Sequence, residues 1–408
     1  MSLSPYEPLR IPDFRRLLIS NGALTLAREA QIVVVGWQVF ALTRDPLTLG
    51  LIGLAEALPF IAVALYAGHM ADRVERRMLA VVGSFGLLVS AVALLILTMT
   101  PGAITADRIW PVYVVVSLSA TARSFTRPAF FALSAEVIPR ELYPRAIAWR
   151  TSTWHLAAVV GPAAGGLIYG FAGPAVAYGA VIVAMAFSLA AIMSVQHRVT
   201  PAPPVEEVPL AESLKSGVRF VWNEPVLLAA MTLDLFAVLF GGAVALLPAF
   251  ATLLNAGPEG LGLLRAAPAV GSIVTGIVIA HRPPMRRAGF AIFASVAAFG
   301  ACMVLFALSR QFWLSFALLL ASGVFDNISV VIRSTILQTR TPDHILGRVS
   351  AVNQIFIGSS NEIGAFESGV AARLMGVVPS VIFGGCMTLL VVGITAWRAP
   401  QLRRLRSI

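Results

Sequence analysis

Residues Gly68–Met99 read G-H-M-A-D-R-V-E-R-R-M-L-A-V-V-G-S-F-G-L-L-V-S-A-V-A-L-L-I-L-T-M. A charged turn leads into Met78–Met99, an apolar run with no Asp, Glu, Lys or Arg. Crossing the hydrocarbon core of a bilayer takes roughly 20 helical residues, so this stretch predicts a membrane-spanning helix that starts at a basic anchor. Working outward in both directions, runs of similar length fall at about 17–42, 47–70, 78–99, 109–135, 146–171, 172–196, 225–250, 257–280, 288–309, 311–337, 348–374 and 377–397. The expected fold is therefore an all-α integral membrane protein with twelve transmembrane helices.

Composition agrees. Apolar residues make up 58% of the chain, charged residues 12%, and the mean hydropathy is +0.84. Soluble domains are closer to half apolar and a quarter charged, and a bilayer removes the need for polar cover. The net charge of +10 raises the possibility of a nucleic-acid partner. The arginines and the single Lys215 instead fall mostly in short gaps between apolar runs, without aromatic interleaving, so no nucleic acid is expected. Cys302 and Cys386 lie inside apolar runs and read as core residues, with no metal site expected. The first run begins near Leu17 and is too long for a cleavable signal, so it should remain in the protein.

Basic residues give an orientation. With the N-terminus in the cytoplasm, inside segments hold twenty Arg or Lys residues, and outside segments hold only Arg44, Arg108, Arg310 and Arg373. Both termini are then cytoplasmic, in a cell (inner) membrane. The longest polar gap, 197–224, contains T-P-A-P-P-V-E-E-V-P and then an amphipathic L-A-E-S-L-K-S-G-V-R-F-V-W. It predicts a cytoplasmic linker with a helix on the membrane face, joining bundles at 1–196 and 225–408. The halves resemble each other. At an offset of 203, Pro139, Arg145, Gly161, Gly166 and Gly173 match Pro342, Arg348, Gly364, Gly369 and Gly376, and Leu49-Gly50-Leu51 matches Leu261-Gly262-Leu263 at a different offset. Chance could align glycines in apolar helices, but Pro and Arg at the same offset favour a duplication, hence two pseudo-symmetric six-helix bundles, a transporter pattern.

The turn Gly68–Arg77 has the pattern G-x-x-x-D-R-x-x-R-R and resembles the signature loop of the major facilitator superfamily. The resemblance implies a conformational latch made by Gly68, Asp72, Arg73, Arg76 and Arg77, with Glu136 as a carboxylate partner. The equivalent A-H-R-P-P-M-R-R from Ala280 lacks the Gly and Asp and reads as an anchor. In the fifth span, Gly161, Pro162, Gly165 and Gly166 resemble the exporter-type helix-5 motif of that superfamily, with Ala157 in place of its first glycine. Pro162 removes a backbone donor, and the glycines admit a close neighbour. The stretches from Arg127 to Pro139 and from Arg333 through Gly369 resemble the branch that includes enterobactin exporters and macrolide-efflux-like proteins. That resemblance implies a proton-driven exporter.

Ionisable side chains at membrane depth are costly and are functional candidates. Glu29, Arg123, Asp234 and Glu362 fall near the middles of their spans and are the proton-coupling candidates. A carboxylate in a helix bundle can bind and release a proton as its surroundings change, and Glu29 paired with Arg123 is the expected arrangement. Asp234 stands second. Arg127, Arg333 and Glu367 lie nearer span ends, where snorkelling is cheap. Each mid-span charge could equally be neutralised in a purely structural pair. Arg28, Gln31, Gln38, Asp326, Asn327, Gln354 and Asn361 are substrate-cavity candidates. In the eleventh span, Ala351, Gly358, Glu362, Ala365 and Gly369 form a packing face. Ser350, Gln354, Asn361, Gly364 and Ser368 form a polar face that could line a cavity or glue helices.

The expected function is secondary active transport, as a proton-coupled exporter of an amphipathic small molecule such as a siderophore or drug. An importer or metal-ion exporter on the same fold is the alternative. A membrane-embedded enzyme is disfavoured, because the five histidines form no H-E-x-x-H pair, and the absence of G-x-x-x-x-G-K-[ST] removes an ATP-driven pump. No cofactor is expected, the proton gradient being the energy source. The expected partners are a small-molecule substrate and the lipid bilayer, with no obligate protein partner.

Overall fold

The computed structural model describes residues 4–196, 210–241, 243–281, 285 and 287–406. Among these the regular elements are all helical: α1 (Pro12–Thr43), α2 (Pro46–Arg73), α3 (Arg76–Met99), α4 (Trp110–Glu136), α5 (Tyr143–Met193), α6 (Leu210–Asn223), α7 (Pro225–Phe240), α8 (Leu247–Leu253), α9 (Gly257–Ala280), α10 (Ala288–Leu308), α11 (Phe312–Arg340), α12 (Asp343–Met375), α13 (Val377–Arg398) and the short α14 (Pro400–Arg403). A membrane forces this outcome, since a helix satisfies its own backbone groups where no water is available. Among the described residues, eight candidate spans are long and apolar enough to cross by composition alone. Among them, α5 contains two rods. The long helices α1, α4 and α12 fall short on composition and carry intramembrane charges.

The fifth and sixth predicted spans meet inside α5 at Gly173, whose φ of 82° and ψ of 174° break the helix ahead of Pro174. Its repeat mate Gly376 has φ 94° and ψ 159° and separates α12 from α13. Only glycine adopts that backbone cheaply. Pro139 and Pro342 are matched as well, at φ −58°, ψ 144° and φ −59°, ψ 143°. The duplication read from sequence thus recurs in the backbone itself. The seventh span, read over 225–250, falls within the candidate span Pro225–Leu253, but it is not one continuous helix: it is α7, then a 3-10 turn at Ala243–Leu246, then α8. The α7 helix stops where Gly241 donates to the Ala237 carbonyl at 2.8 Å, a residue type that weakens helices.

The chain forms two compact units that do not follow the midpoint of the sequence strictly. One contains 1–43, 55–205 and 257–266; the other contains 44–54, 206–256 and 267–408. The first has a core that includes Leu24, Ala27, Leu87, Ala91, Leu133 and Met185. The second has a core that includes Leu227, Ala230, Leu233, Ile292, Val296 and Ile336. Large apolar side chains such as Phe171, Leu374, Trp313 and Trp397 stay exposed, as expected of surfaces that face lipid tails.

Each unit takes in a short segment from the other half of the sequence through a glycine contact. In the first, a Cβ on Gly166 of α5 would stand 2.9 Å from Gly262 Cα and against the Pro258 carbonyl of α9. In the second, a Cβ on Gly369 of α12 would stand 2.5 Å from Gly50 Cα and 3.2 Å from the Pro46 carbonyl of α2. Gly166 and Gly369 are repeat mates, and so are Gly262 and Gly50. Small residues let these backbones meet.

Candidate functional site

In the first unit, the exporter-type motif of α5 is a bed for two other segments. A Cβ on Gly161 would lie 2.7 Å from the Leu26 carbonyl and 2.9 Å from Glu29 Cβ, so α5 presses on α1 at the level of Glu29. The next turn of α5 holds the start of α9 through Gly166. One turn beyond Gly262, α9 carries Arg265 to Glu29, with Nη2 3.9 Å from Oε2. Arg28 Nη1 lies 3.5 Å from the other carboxylate oxygen. Glu29 is therefore held between two guanidiniums.

The expected pairing of Glu29 with Arg123 does not occur. Arg123 Nη2 lies 3.3 Å from Glu56 Oε2, and its guanidinium stands 5.8 Å over the Phe60 ring. The reason is the course of α4. Ser117 donates to the Ala55 carbonyl at 2.9 Å, which lays α4 along α2 and carries Arg123, less than two turns on, to Glu56. In the sequence Arg265 stands out only as an intramembrane charge of the eighth span, two residues after the repeated Leu-Gly-Leu, with nothing to name its partner.

Gln38, expected at a cavity, is buried with its amide committed. It donates to Thr98 Oγ1 at 3.0 Å and accepts from the hydroxyl of the fully buried Tyr178 at 2.8 Å. Gln31 is also buried, and its Oε1 has no hydrogen-bond partner among the described residues; neither has Arg265 Nε. Of the latch residues, the side chains of Asp72 and Arg73, and the surroundings of Gly68, lie outside the described residues. Arg76 Nη1 reaches Glu136 Oε1 at 2.5 Å as expected, and Arg77 Nη2 donates to the Met193 carbonyl at 2.5 Å.

The second unit holds a different cluster. Asp234 of α7 and Arg333 of α11 form an ion pair, with the residues 8% and 4% exposed. Arg333, expected to be able to snorkel, is instead buried and held by Asp234. The α11 helix has 29 residues, about 43 Å at 1.5 Å per residue, against a core of about 30 Å. Arg333 lies two turns short of the end of α11, where Asp234 meets it. Two turns before it on the same helix, Asp326 shares with Asp234 a cavity of about 10 Å³, also lined by Ser329, Ala237, Val238 and Phe299. That is room for about one water.

The remaining candidates scatter. Asn327 donates to the Ser272 carbonyl at 3.0 Å, tying α11 to α9. Asn361 is exposed and donates to its own helix at Ile357, 2.8 Å. Gln354 is exposed on α12, two turns before it. Glu362 belongs to the packing face of α12, with its carbonyl 3.1 Å from where a Gly53 Cβ would be and Ala365 beside it. The other face is not simply a lining. Gly364 presses on the Leu239 carbonyl of α7, and Ser368 is buried. Among the described residues, no group of three or more His, Cys, Asp or Glu could hold a metal ion.

The profile of the family described as transmembrane secretion effectors matches residues 3–407. The enterobactin exporter EntS of Shigella flexneri is 25% identical over 400 residues, 97% of this chain and 94% of the relative. EntS of Escherichia coli O139:H28 is 26% identical over 402 residues, with the same shares. Among solved structures, the nucleoside transporter NupG superposes with a TM-score of 0.72 at 11% identity, covering 94% of this chain and 99% of that one. A peptide transporter bound to sulfate superposes with a TM-score of 0.73 at 12% identity, covering 96% and 95%. At such identities these structures speak for the shared fold alone.

Proposed function

Because the chain belongs to the transmembrane secretion effector family of major facilitator transporters, we propose that it is a proton-coupled exporter that moves an amphipathic small molecule by alternating access. That it is a multi-pass membrane transporter and not an enzyme follows from the family itself. The relatives named as enterobactin exporters favour export over import and a siderophore-like or drug-like cargo. The arginine distribution favours cytoplasmic termini in a cell (inner) membrane.

The observation that carries proton coupling is the cluster of Asp234, Asp326 and Arg333. Two carboxylates and one guanidinium sum to a net charge of −1 at membrane depth, which a bilayer penalises. One proton removes that charge, and two interacting acids bind it as a unit rather than as separate residues. Opening the cluster to water on either side would let the proton leave. A cycle that binds the proton on one side and releases it on the other can drive cargo the opposite way.

Proteoliposomes with an imposed pH gradient test this. Cargo from a panel of siderophores and drugs should accumulate on the acidic side, and Asp326→Asn should abolish accumulation while downhill movement continues. If the wild-type protein ignores the gradient, or if Asp326→Asn concentrates cargo normally, the reading fails.

A further inference from the structure

Charge is divided unequally between the two units. The spans of the first hold Arg28, Arg123, Arg127, Arg150 and Arg265 against the acids Glu29, Glu56 and, at the start of α9, Glu259. Within the spans of the second, Arg333 and, at the start of the eleventh span, Arg348 stand with Asp234, Asp326, Glu362 and Glu367, while Arg373 at the end of α12 is paired with Asp45. The acids of the second unit serve the proton reading above. The arginine surplus of the first has no part in it.

Glu29 is where that surplus converges. Its two oxygens stand 3.5 Å from Arg28 and 3.9 Å from Arg265. Direct charge-assisted hydrogen bonds close to about 2.7–2.9 Å, so both pairs are loose. Arg265 Nε is buried with no hydrogen-bond partner among the described residues. On α1, one turn from Arg28, Gln31 is 7% exposed and its carbonyl oxygen is equally unpartnered. A buried donor and a buried acceptor left unfilled each carry a desolvation cost, which a bound molecule can remove. The glycines of the α5 motif fix α1 and α9 at this spacing, so the gap is built into the packing.

We propose that Glu29 stands in for an acidic group of the cargo, and that the transported molecule is an amphipathic anion whose carboxylate, sulfonate or phenolate displaces Glu29 from Arg28 and Arg265. This deepens the exporter reading by naming the charge of its substrate. Arg265 is the specificity-determining residue, and Glu29 is the competitor that keeps the two arginines neutralised while the site is empty.

The test measures equilibrium binding to the full-length protein in nanodiscs, against empty nanodiscs, with no pH gradient. Absence of a gradient separates it from proton coupling, so either reading can fail alone. The probes are anilinonaphthalene sulfonate, the uncharged N-phenylnaphthylamine on the same aromatic frame, and the cation ethidium. The sulfonate should bind saturably and about tenfold more tightly than the amine, the scale of one charge-assisted contact. Arg265→Gln should remove that preference without changing amine binding, and Arg265→Lys should keep it. Glu29→Gln, which deletes the competitor, should tighten sulfonate binding, an effect no purely structural role of Glu29 produces. Failure of the sulfonate to saturate overturns the proposal, as does equal or tighter binding of the amine or ethidium. A weakened sulfonate in Glu29→Gln, or an equal loss of both aromatic probes in Arg265→Gln, overturns it too. Should Arg265→Gln not survive size-exclusion chromatography, the Glu29→Gln arm decides.

Discussion

Arg333 and Asp234 are both buried, beside Asp326 and Ser329, and each offsets the other's charge directly. Removing one partner of a buried ion pair leaves a charge with nothing to offset its lost hydration, a cost of about 3–5 kcal/mol. Arg333→Met alone is therefore expected to lower thermal stability in detergent by an amount of that order. The double variant Asp234→Leu with Arg333→Met should recover most of it, since well-packed apolar pairs replace buried ion pairs at little cost. A double variant no more stable than the single one would show that the two residues are not coupled. The Arg123–Glu56 pair is partly exposed by comparison, at 18% and 22% of the side chains, so its removal should cost less.

At the scale of elements, glycine decides which helices can touch. Gly166 lets α5 meet the backbone of α9, and Gly369 does the same for α12 and α2. Gly166→Leu would drive a side chain into Gly262 and the Pro258 carbonyl, which are backbone and cannot move aside like a flexible side chain. Overpacking of this kind costs about 1–3 kcal/mol or more, and the expected readout is a lower melting temperature and loss of transport. Gly179→Leu on the same helix is the control, because a Cβ there meets nothing within 4 Å. If both substitutions are tolerated alike, the contact does not hold α9 in place. The amphipathic α6 is attached in a similar way, with Gly217 against the Arg348 carbonyl and Arg348 Nη1 donating to Ser216 Oγ at 3.3 Å.

At the scale of the molecule, the two units exchange short segments of sequence: 257–266 belongs with the first and 44–54 with the second. Neither half of the chain alone therefore contains a complete unit. Cutting near Pro203 and expressing only 1–203 or only 204–408 should give unstable, poorly extracted fragments. Co-expressing them with a tag on one should recover a complex that copurifies and retains some transport, since the packing that joins them does not need the covalent link. Halves that are each stable alone and fail to copurify would contradict this account.

The sequence determined what local chemistry determines. Apolar run length set the spans, because the thickness of a bilayer is a fixed ruler. Gly173 and Gly376, Pro139 and Pro342 were legible because φ and ψ are properties of single residues, and their common offset exposed the repeat. Arg76 with Glu136 was legible as a pair for the same reason, a loop arginine having few acids within reach. Only the tertiary structure decided the partners of the mid-membrane charges. Glu29 could as well have met Arg123 as Arg265, because charge carries no address along a chain. What settled it was steric: Ser117 and Ala55 lay α4 on α2, and Gly161, Gly166 and Gly262 bring α9 to α1 across α5. Arg333 is buried rather than snorkelling because Asp234, 99 residues earlier in the chain, is packed against it. Depth and partnership come from packing between segments far apart in sequence, and only the folded chain contains that information.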